Sequence, residues 1–541
     1  MAIRGNRFAA VGDDDQVKAL IGNGTQVVDL EGRTVLPGIN DSHSHTALWA
    51  GTRPPYVLDL AYPNVKSVKD VTEQVRKKVA SLRPGEWVRG AGWDAGYLAE
   101  CVTAGVRLDR SFLDAVSPEN PVALADFSVH TVWVNSMALR LAGIDRDAVA
   151  PIGGGIEKDP LTGEPTGILR EFAAADLVMG LIPPPTRAQK REAIAGALDE
   201  LSALGITSMT EPALGPGGDS YQGGLLGSEC IGVYQDLFDS GRLNVRVNVL
   251  YLLGDYGSCT HADLQQALPN LGFHSHFGSE KLKIGGIKIF ADGIPPNRTA
   301  WVSTEYLGGG NGSLVIPGSS DEERTQELER MILFAHRLGF QVGVHSIGDR
   351  AIQAAIDGLV RAETEEPRGL RHYLMHVDFV TAEQARKVAE HGFGVNITPT
   401  LPWTISDMNV DVVGLEQVGK EWPYRLLADA GCHLAASSDA PCTYPSWLQG
   451  VQSAVLRETK ASGKVYSPDQ CLTIQEAIRA YTIGGAWQDR QEDVKGSIEP
   501  GKFADLCVLD QDILSVDPHD ITGINNVMTI MDGEVVFSSG L

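Results

Sequence analysis

Eight short apolar runs, at residues 34–39, 205–209, 244–250, 284–290, 341–344, 373–375, 394–397 and 433–436, recur along the chain, and several are separated by amphipathic stretches such as 187–204, 322–338, 350–362 and 382–391. Strand alternating with helix predicts a parallel sheet whose crossovers are helical, and eight such strands close into a barrel. The expected fold class is therefore α/β, a distorted (β/α)8 TIM-type barrel.

Two regions do not fit a bare barrel. About 160 residues separate the first run from the second, far more than the dozen or so that a crossover needs. Residues 51–185 are therefore expected to form an inserted subdomain over the barrel mouth, with strand-like runs at 85–90 and 121–125. At the two ends, runs at 7–11, 26–29, 506–509 and 534–537 read as short strands with turn glycines. They predict a composite small β-domain from residues 1–33 and 490–541, leaving 34–50 and 186–489 to the barrel.

The formal charge of -24 disfavours nucleic acid and anionic membranes as partners, since both require a basic face. Seven cysteines, odd in number, scattered and without a CxxC pair, fit a reducing compartment better than a disulfide framework. With no h-region and no apolar run near 18 residues, the expectation is a cytoplasmic enzyme acting on a small molecule. A homodimer is the commonest assembly open to such a chain.

Enzymes on this kind of barrel carry their chemistry where strands end, and polar residues recur there. His43-Ser44-His45 follows strand one, and side chains two apart on an extended segment point the same way, so the two imidazoles can grip one cation. Lys288 lies within strand four, His345 ends strand five, His376 ends strand six and Asp439 ends strand eight. Four imidazoles, a lysine and a carboxylate from five strands would converge on one mouth. A second HxH, His274-Ser275-His276, lies ahead of strand four between glycines and predicts a solvated loop. Asp349 is expected to cap or open the helix that begins near Arg350. Candidate substrate contacts are Arg298, in the loop after strand four, and Trp93, Asp94, His130 and Asn135 in the insertion.

The phrases LPGINDSHSH (36–45), GIKIFADG (286–293), VHSIGDR (344–350), SDAP (438–441), YTIGGA (481–486) and GSIEPGK (496–502) give the chain a further identity. In this order they resemble the amidohydrolase superfamily and are similar to its YtcJ-like branch, which includes N-substituted formamide deformylases. The resemblance implies two divalent metal ions, usually zinc. His43 and His45 would bind one ion and His345 with His376 the other, and Lys288, carboxylated by carbon dioxide to a carbamate, would bridge them. A free ammonium beside two cations would be repelled, whereas burial favours the neutral amine that forms a carbamate. Asp439 would touch the first metal and act as general base and acid in attack by a bridging hydroxide on a non-peptide amide C–N bond. Rival readings are a mononuclear deaminase, an ester, lactone or carbamate hydrolase, and a metal-free binding protein. Deaminases of the superfamily generally carry a glutamate three residues after the strand-five histidine; here that position is Gly348.

Overall fold

A computed structural model of the chain describes residues 1–151, 153–219, 221–254 and 259–540. Its central sheet holds eight parallel strands: β1 (Ile39–Asp41), β2 (Ile206–Leu214), β3 (Arg246–Leu252), β4 (Leu282–Phe290), β5 (Gln341–Ser346), β6 (Tyr373–His376), β7 (Gly394–Ile397) and β8 (His433–Ala436). Each pairs with its neighbour in chain order from β1 to β8. Most of their residues are buried on both faces, as expected of a parallel sheet wrapped by helices.

The surrounding helices start where the sequence supplies caps. In α2 (Arg187–Ala203) Thr186 and Gln189 form a capping box, and Thr381 with Gln384 does the same for α6 (Ala382–Glu390). Ser320 caps α4 (Asp321–Arg337), whose first turn carries three acidic residues against the positive end of the helix dipole. The other helices used below are α1 (Thr46–Gly51), α3 (Ser228–Asp239), α5 (Asp349–Glu365) and α7 (Thr400–Val413).

The ring closes beyond the last residues of β1 and β8. Ser42 N–H donates to Ala436 O at 3.2 Å, Asp439 N–H to His43 O at 2.8 Å, and His45 N–H to Ala440 O at 2.8 Å. The Asp41 carboxylate joins the same seam, accepting from Ser438 N–H at 3.0 Å and from the Ser438 hydroxyl at 2.5 Å.

The run at 34–39, read from sequence as one barrel strand, is two. Thr34–Pro37 pairs antiparallel with Leu506–Leu509 in a four-stranded sheet completed by Asn526–Met531 and Glu534–Ser538. Only Ile39–Asp41 enters the barrel, and Gly38 makes the crossing: a Cβ there would lie 2.1 Å from Thr207 Oγ1. Strands from both ends of the chain thus share a sheet, but residues 26–29 are not in a strand, and the strand at Asn526–Met531 has no counterpart in the sequence reading.

Between β1 and β2 lies a mixed six-stranded sheet with its own apolar core around Trp133, Val71 and Leu113. Its strands include Val88–Trp93, Val122–Asp126, Thr131–Val134 and Pro165–Arg170. The second HxH is a loop only partly solvated, with His274 exposed and the residues after it packed against the barrel. Phe277–Gly278 pairs with β4, Ser275 is buried with its hydroxyl accepting from Gln341 N–H, and His276 is half-buried near the start of that strand. Among the described residues, no helix is long and apolar enough to cross a membrane.

Candidate metal centre

The seam that closes the barrel also assembles the site. His43 and His45 leave β1, and Asp439 leaves β8 in a left-handed conformation with φ 54°. Asp439 Oδ1 lies 3.3 Å from His43 Nε2 and 3.7 Å from His45 Nε2, and Oδ2 lies 4.0 Å from His376 Nδ1. The four rings form a continuous chain, with centroids 5.2 Å apart for His45 and His43, 5.1 Å for His43 and His376, and 4.6 Å for His376 and His345. His376 and Val377 also hold positive φ, so three residues at the centre carry backbone strain that the surrounding fold maintains.

Buried donors and acceptors normally find partners, yet His43 Nδ1 and Nε2, His45 Nδ1 and His376 Nδ1 are buried with no hydrogen bond. Burial, reinforced by neighbouring positive groups, pushes His43, His45, His345 and His376 well below the usual imidazole range. Neutral rings keep the lone pairs that metals take. His43, His376 and Asp439 offer ligand atoms all within 4.8 Å of one another. The donor set therefore fits divalent cations.

Lys288 points into the same space from β4. Its nitrogen is 2.9 Å from Met375 Sδ and 4.5 Å from the centre of the Phe290 ring, with no carboxylate in salt-bridge range among the described residues. Burial brings its amine down to about 7, the Asp439 carboxylate being the main opposing influence. Lys283 faces away, donating to Asp489 O at the opposite end of the strand.

A further group of possible ligands, His336, Glu363 and His372, is a closed hydrogen-bond relay instead. Val342 N–H donates to His372 Nδ1, leaving His372 Nε2 to donate to His336 Nδ1 at 2.9 Å and His336 Nε2 to donate to Glu366 O at 2.7 Å. Every ring nitrogen is committed, so no lone pair remains for an ion.

Buried carboxylates that the sequence reading did not single out hold this centre in place. Asp292, two residues beyond Phe290, accepts from the N–H groups of Trp301, Ile347 and Gly348 at 2.9 to 3.0 Å, and Oδ1 lies 3.9 Å from His345 Nε2. Burial still lifts its carboxyl to about 7. Asp349 opens α5 as its first residue but does not cap it: the N–H groups of Ile347 and Gly348 go to Asp292, and the Asp349 carboxylate accepts from Ser303 N–H. Glu211 of β2, lifted by burial to about 8, accepts from Ala47 N–H in α1 and from the Tyr234 hydroxyl of α3, fixing the helix that follows His45. Asp41 and Asp292 lie inside the quoted phrases and Lys288 shares strand parity with Asp292, a signal that was present.

Gly348 leaves no room for the deaminase glutamate: a Cβ there would lie 2.1 Å from Trp301 O and 2.4 Å from its carbonyl carbon.

The centre opens into a cavity lined by residues of the barrel and the insertion. Its walls are mostly apolar, with Phe127 and Phe172 from the insertion, Leu226 after β2, Phe290 of β4, and Leu401 and Ile405 of α7. Lys288 is the one lysine or arginine among the described wall residues, and His130 is in the wall. Trp93, Asp94 and Arg298 are not brought there. The Trp93 indole donates to Leu124 O and packs edge-on against Trp133 inside the insertion. Asp94 accepts from Gly96 N–H, and burial lifts its carboxyl to about 6. Arg298, at φ 59°, lies against Gly308, and Asn135 caps the helix Ser136–Leu141.

A family model described as the amidohydrolase family matches residues 26–537. YtcJ of Bacillus subtilis (strain 168) is 29% identical over 523 residues, covering 95% of this chain and 90% of YtcJ. N-substituted formamide deformylase of Arthrobacter pascens is 28% identical over 538 residues, covering 98% of this chain and 93% of the deformylase. Among solved structures, an uncharacterized metal-dependent hydrolase from Pyrococcus horikoshii OT3 superposes with a TM-score of 0.71 at 25% identity, covering 96% of this chain and 94% of that one.

Proposed function

Because the chain belongs to the amidohydrolase family, we propose that it is a metal-dependent hydrolase of the C–N bond in a neutral amide with an apolar substituent. The observation that carries this reading is the group of buried, neutral imidazoles, four of their nitrogens unpartnered, gathered around Asp439 at the floor of an apolar cavity. His43, His45, His345, His376 and Asp439 would hold two divalent ions, zinc being the expected metal, with Lys288 as a carbamate between them. When bound, such ions supply Lewis-acid polarisation of a carbonyl and a lowered pKa for water.

The chain's own groups do the rest. Lys288, lowered by burial, holds a nucleophilic neutral amine near pH 7, as carbamate formation requires. Asp439 takes a proton from the attacking water on one carboxylate oxygen and returns it to the leaving nitrogen. Apolar walls exclude bulk water and receive the substituent on that nitrogen, and Lys288, engaged at the floor, is the one lysine or arginine among the described wall residues. The named relative that deformylates N-substituted formamides fits this shape. Gly348 argues against the mononuclear deaminase, since the residue that reaction uses has no space.

The test is metal analysis of protein loaded with zinc and bicarbonate, followed by a screen of N-formyl amines, acylated amino acids, cyclic imides and aryl carbamates. Stoichiometric release of amine from a neutral, apolar N-acyl amine is the expected result. Metal content near zero after loading, or turnover confined to esters, overturns the reading.

A further inference from the structure

The cavity is roofed over. Every residue of its wall is buried or half-buried and none is exposed, so a molecule reaches the floor only when part of the roof moves. The insertion forms that roof with Phe127, Ser128, Val129, His130 and Phe172, and the seams along which it meets the barrel are held very differently.

Toward the loop after β4 the seam is knotted with hydrogen bonds. Glu171 clamps His130, one carboxylate oxygen lying 2.7 Å from Nδ1. Its other oxygen accepts from the Thr299 hydroxyl at 2.5 Å and from Asn297 Nδ2 at 3.0 Å. Asn297 Oδ1 in turn accepts from the Thr131 hydroxyl at 3.3 Å and from Arg170 Nη1 at 3.2 Å. Toward the loop after β2, the Tyr221 hydroxyl donates to Val129 O at 2.9 Å.

Toward α7 there is little of this. Leu401 and Ile405 of that helix complete the cavity wall, yet among the described residues a single hydrogen bond joins it to the insertion, from the Tyr97 hydroxyl to Thr404 O at 3.4 Å. An ammonium holds the seam instead. The nitrogen of Lys460, beyond the helix Trp447–Leu456, lies 5.0 Å from the ring centres of Tyr62 and Tyr97 in the insertion and 5.1 Å from that of Trp403 in α7. Tyr62 and Tyr97 stack at 4.7 Å, and Lys460 N–H donates to Trp403 O at 2.7 Å. Among the described residues no carboxylate is in salt-bridge range of Lys460, so three ring faces from two bodies share one cation.

The two seams differ in what parting them leaves behind. Opening on the β4 side strands the buried Glu171 carboxylate without its donors, which is costly. Opening on the α7 side returns an ammonium to water and leaves three rings that lose only a weak attraction.

We propose that the insertion is a lid, hinged at its hydrogen-bonded seam with the loop after β4 and latched to α7 by Lys460 in its aromatic cage, with the parted latch as the entrance to the cavity. The lid serves any molecule that binds in the cavity, whatever bond is cleaved there.

Gly96 and Met408 supply the test, because a Cβ at Gly96 would lie 4.0 Å from Met408 Cβ, within the span of a disulfide. Oxidised Gly96→Cys/Met408→Cys protein therefore has its lid bolted to α7, and the two single variants are its unbolted controls. The readout is alkylation by iodoacetamide of Cys442, a wall residue whose thiol donates to Ser128 O of the lid, followed by peptide mass spectrometry; it needs no turnover. The bolted protein is expected to alkylate at Cys442 at least about tenfold more slowly than either single variant, and reduction with a phosphine should restore the rate. On any substrate found in the amide screen, kcat/KM should fall and recover in parallel. Lys460→Met, which keeps a long side chain without the charge, should speed Cys442 alkylation about 5- to 30-fold at unchanged thermal midpoint. A verified cross-link with alkylation within about threefold of the single variants overturns the lid, as does a Lys460→Met protein that alkylates at the wild-type rate. If the cysteine pair does not cross-link, the Lys460 variant decides alone. A screen without turnover removes the hydrolase reading and leaves the alkylation result standing by itself.

Discussion

Replacing Gly348 with alanine should abolish most activity while scarcely affecting stability. The new Cβ would stand 2.1 Å from Trp301 O and 2.4 Å from its carbonyl carbon, where an unstrained carbon-to-oxygen contact is about 3.2 Å. One segment must therefore move by about 1 Å, and overpacking of that kind costs about 1–3 kcal/mol. Unfolding entropy near 2.1 cal/mol/K per residue gives, for 541 residues unfolding as one unit, a shift of only about 1–3 °C in thermal midpoint. The catalytic effect is larger because of what moves. Gly348 N–H is held by Asp292, which also tethers Trp301 and Ile347 and lies 3.9 Å from His345 Nε2. A displacement of about 1 Å in a catalytic constellation costs about 100-fold in rate. The assay is kcat/KM on the best substrate from the amide screen, beside metal content and differential scanning fluorimetry. An alanine variant with wild-type kcat/KM would refute the reasoning, as would deaminase activity in a Gly348→Glu variant.

Lys288→Ala should lose most of the bound metal, with short carboxylic acids partly restoring activity; unchanged metal content by mass spectrometry means this lysine is not the bridge. Asp439→Asn should retain at least one metal yet lose orders of magnitude in turnover, and normal turnover means the proton travels by another group. The His336–His372 relay carries a pH signature. Burial, then the neighbouring His336, brings His372 down to about 3 from 6.5, so the unfolded chain binds a proton that the folded protein does not. Its contribution is complete above pH 6.5 and is lost as the pH falls toward 3, about 2 kcal/mol being gone at pH 5. Thermal midpoints at pH 7.5 and pH 5 should converge more in His372→Gln than in wild type, and identical pH sensitivity would exclude the relay as the cause.

The barrel was legible because parallel strands buried on both faces must be short apolar runs, and β3, β4, β6 and β7 each left one. The first run misled for a physical reason. Residues 34–39 are continuously apolar because both halves are buried, but in different sheets, and only the close approach of Gly38 to Thr207 marks the break. The run at 26–29 resembled a strand in composition, yet has no partner to pair with in the described structure. The proposed ligands were legible because histidines at strand ends are a local pattern. The clamp on His130 was not, since its members, at positions 130, 171, 297 and 299, meet only through tertiary packing. Trp93 is equally at home in a pocket or in a core, and its partner Trp133 decides for the core. Asp349 opens its helix as expected, but the backbone donors ahead of it are taken by Asp292, two residues past the end of β4.

His43 and Asp439 face each other across the join between the first and last staves of the barrel, tied by Asp439 N–H to His43 O. During synthesis the early pair of imidazoles must wait until roughly four-fifths of the polypeptide has emerged before its carboxylate partner exists. If the proposed ions bind, their capture would be a finishing event, and cells starved of metal should accumulate full-length, ring-closed protein that can be charged later, not truncated folding intermediates.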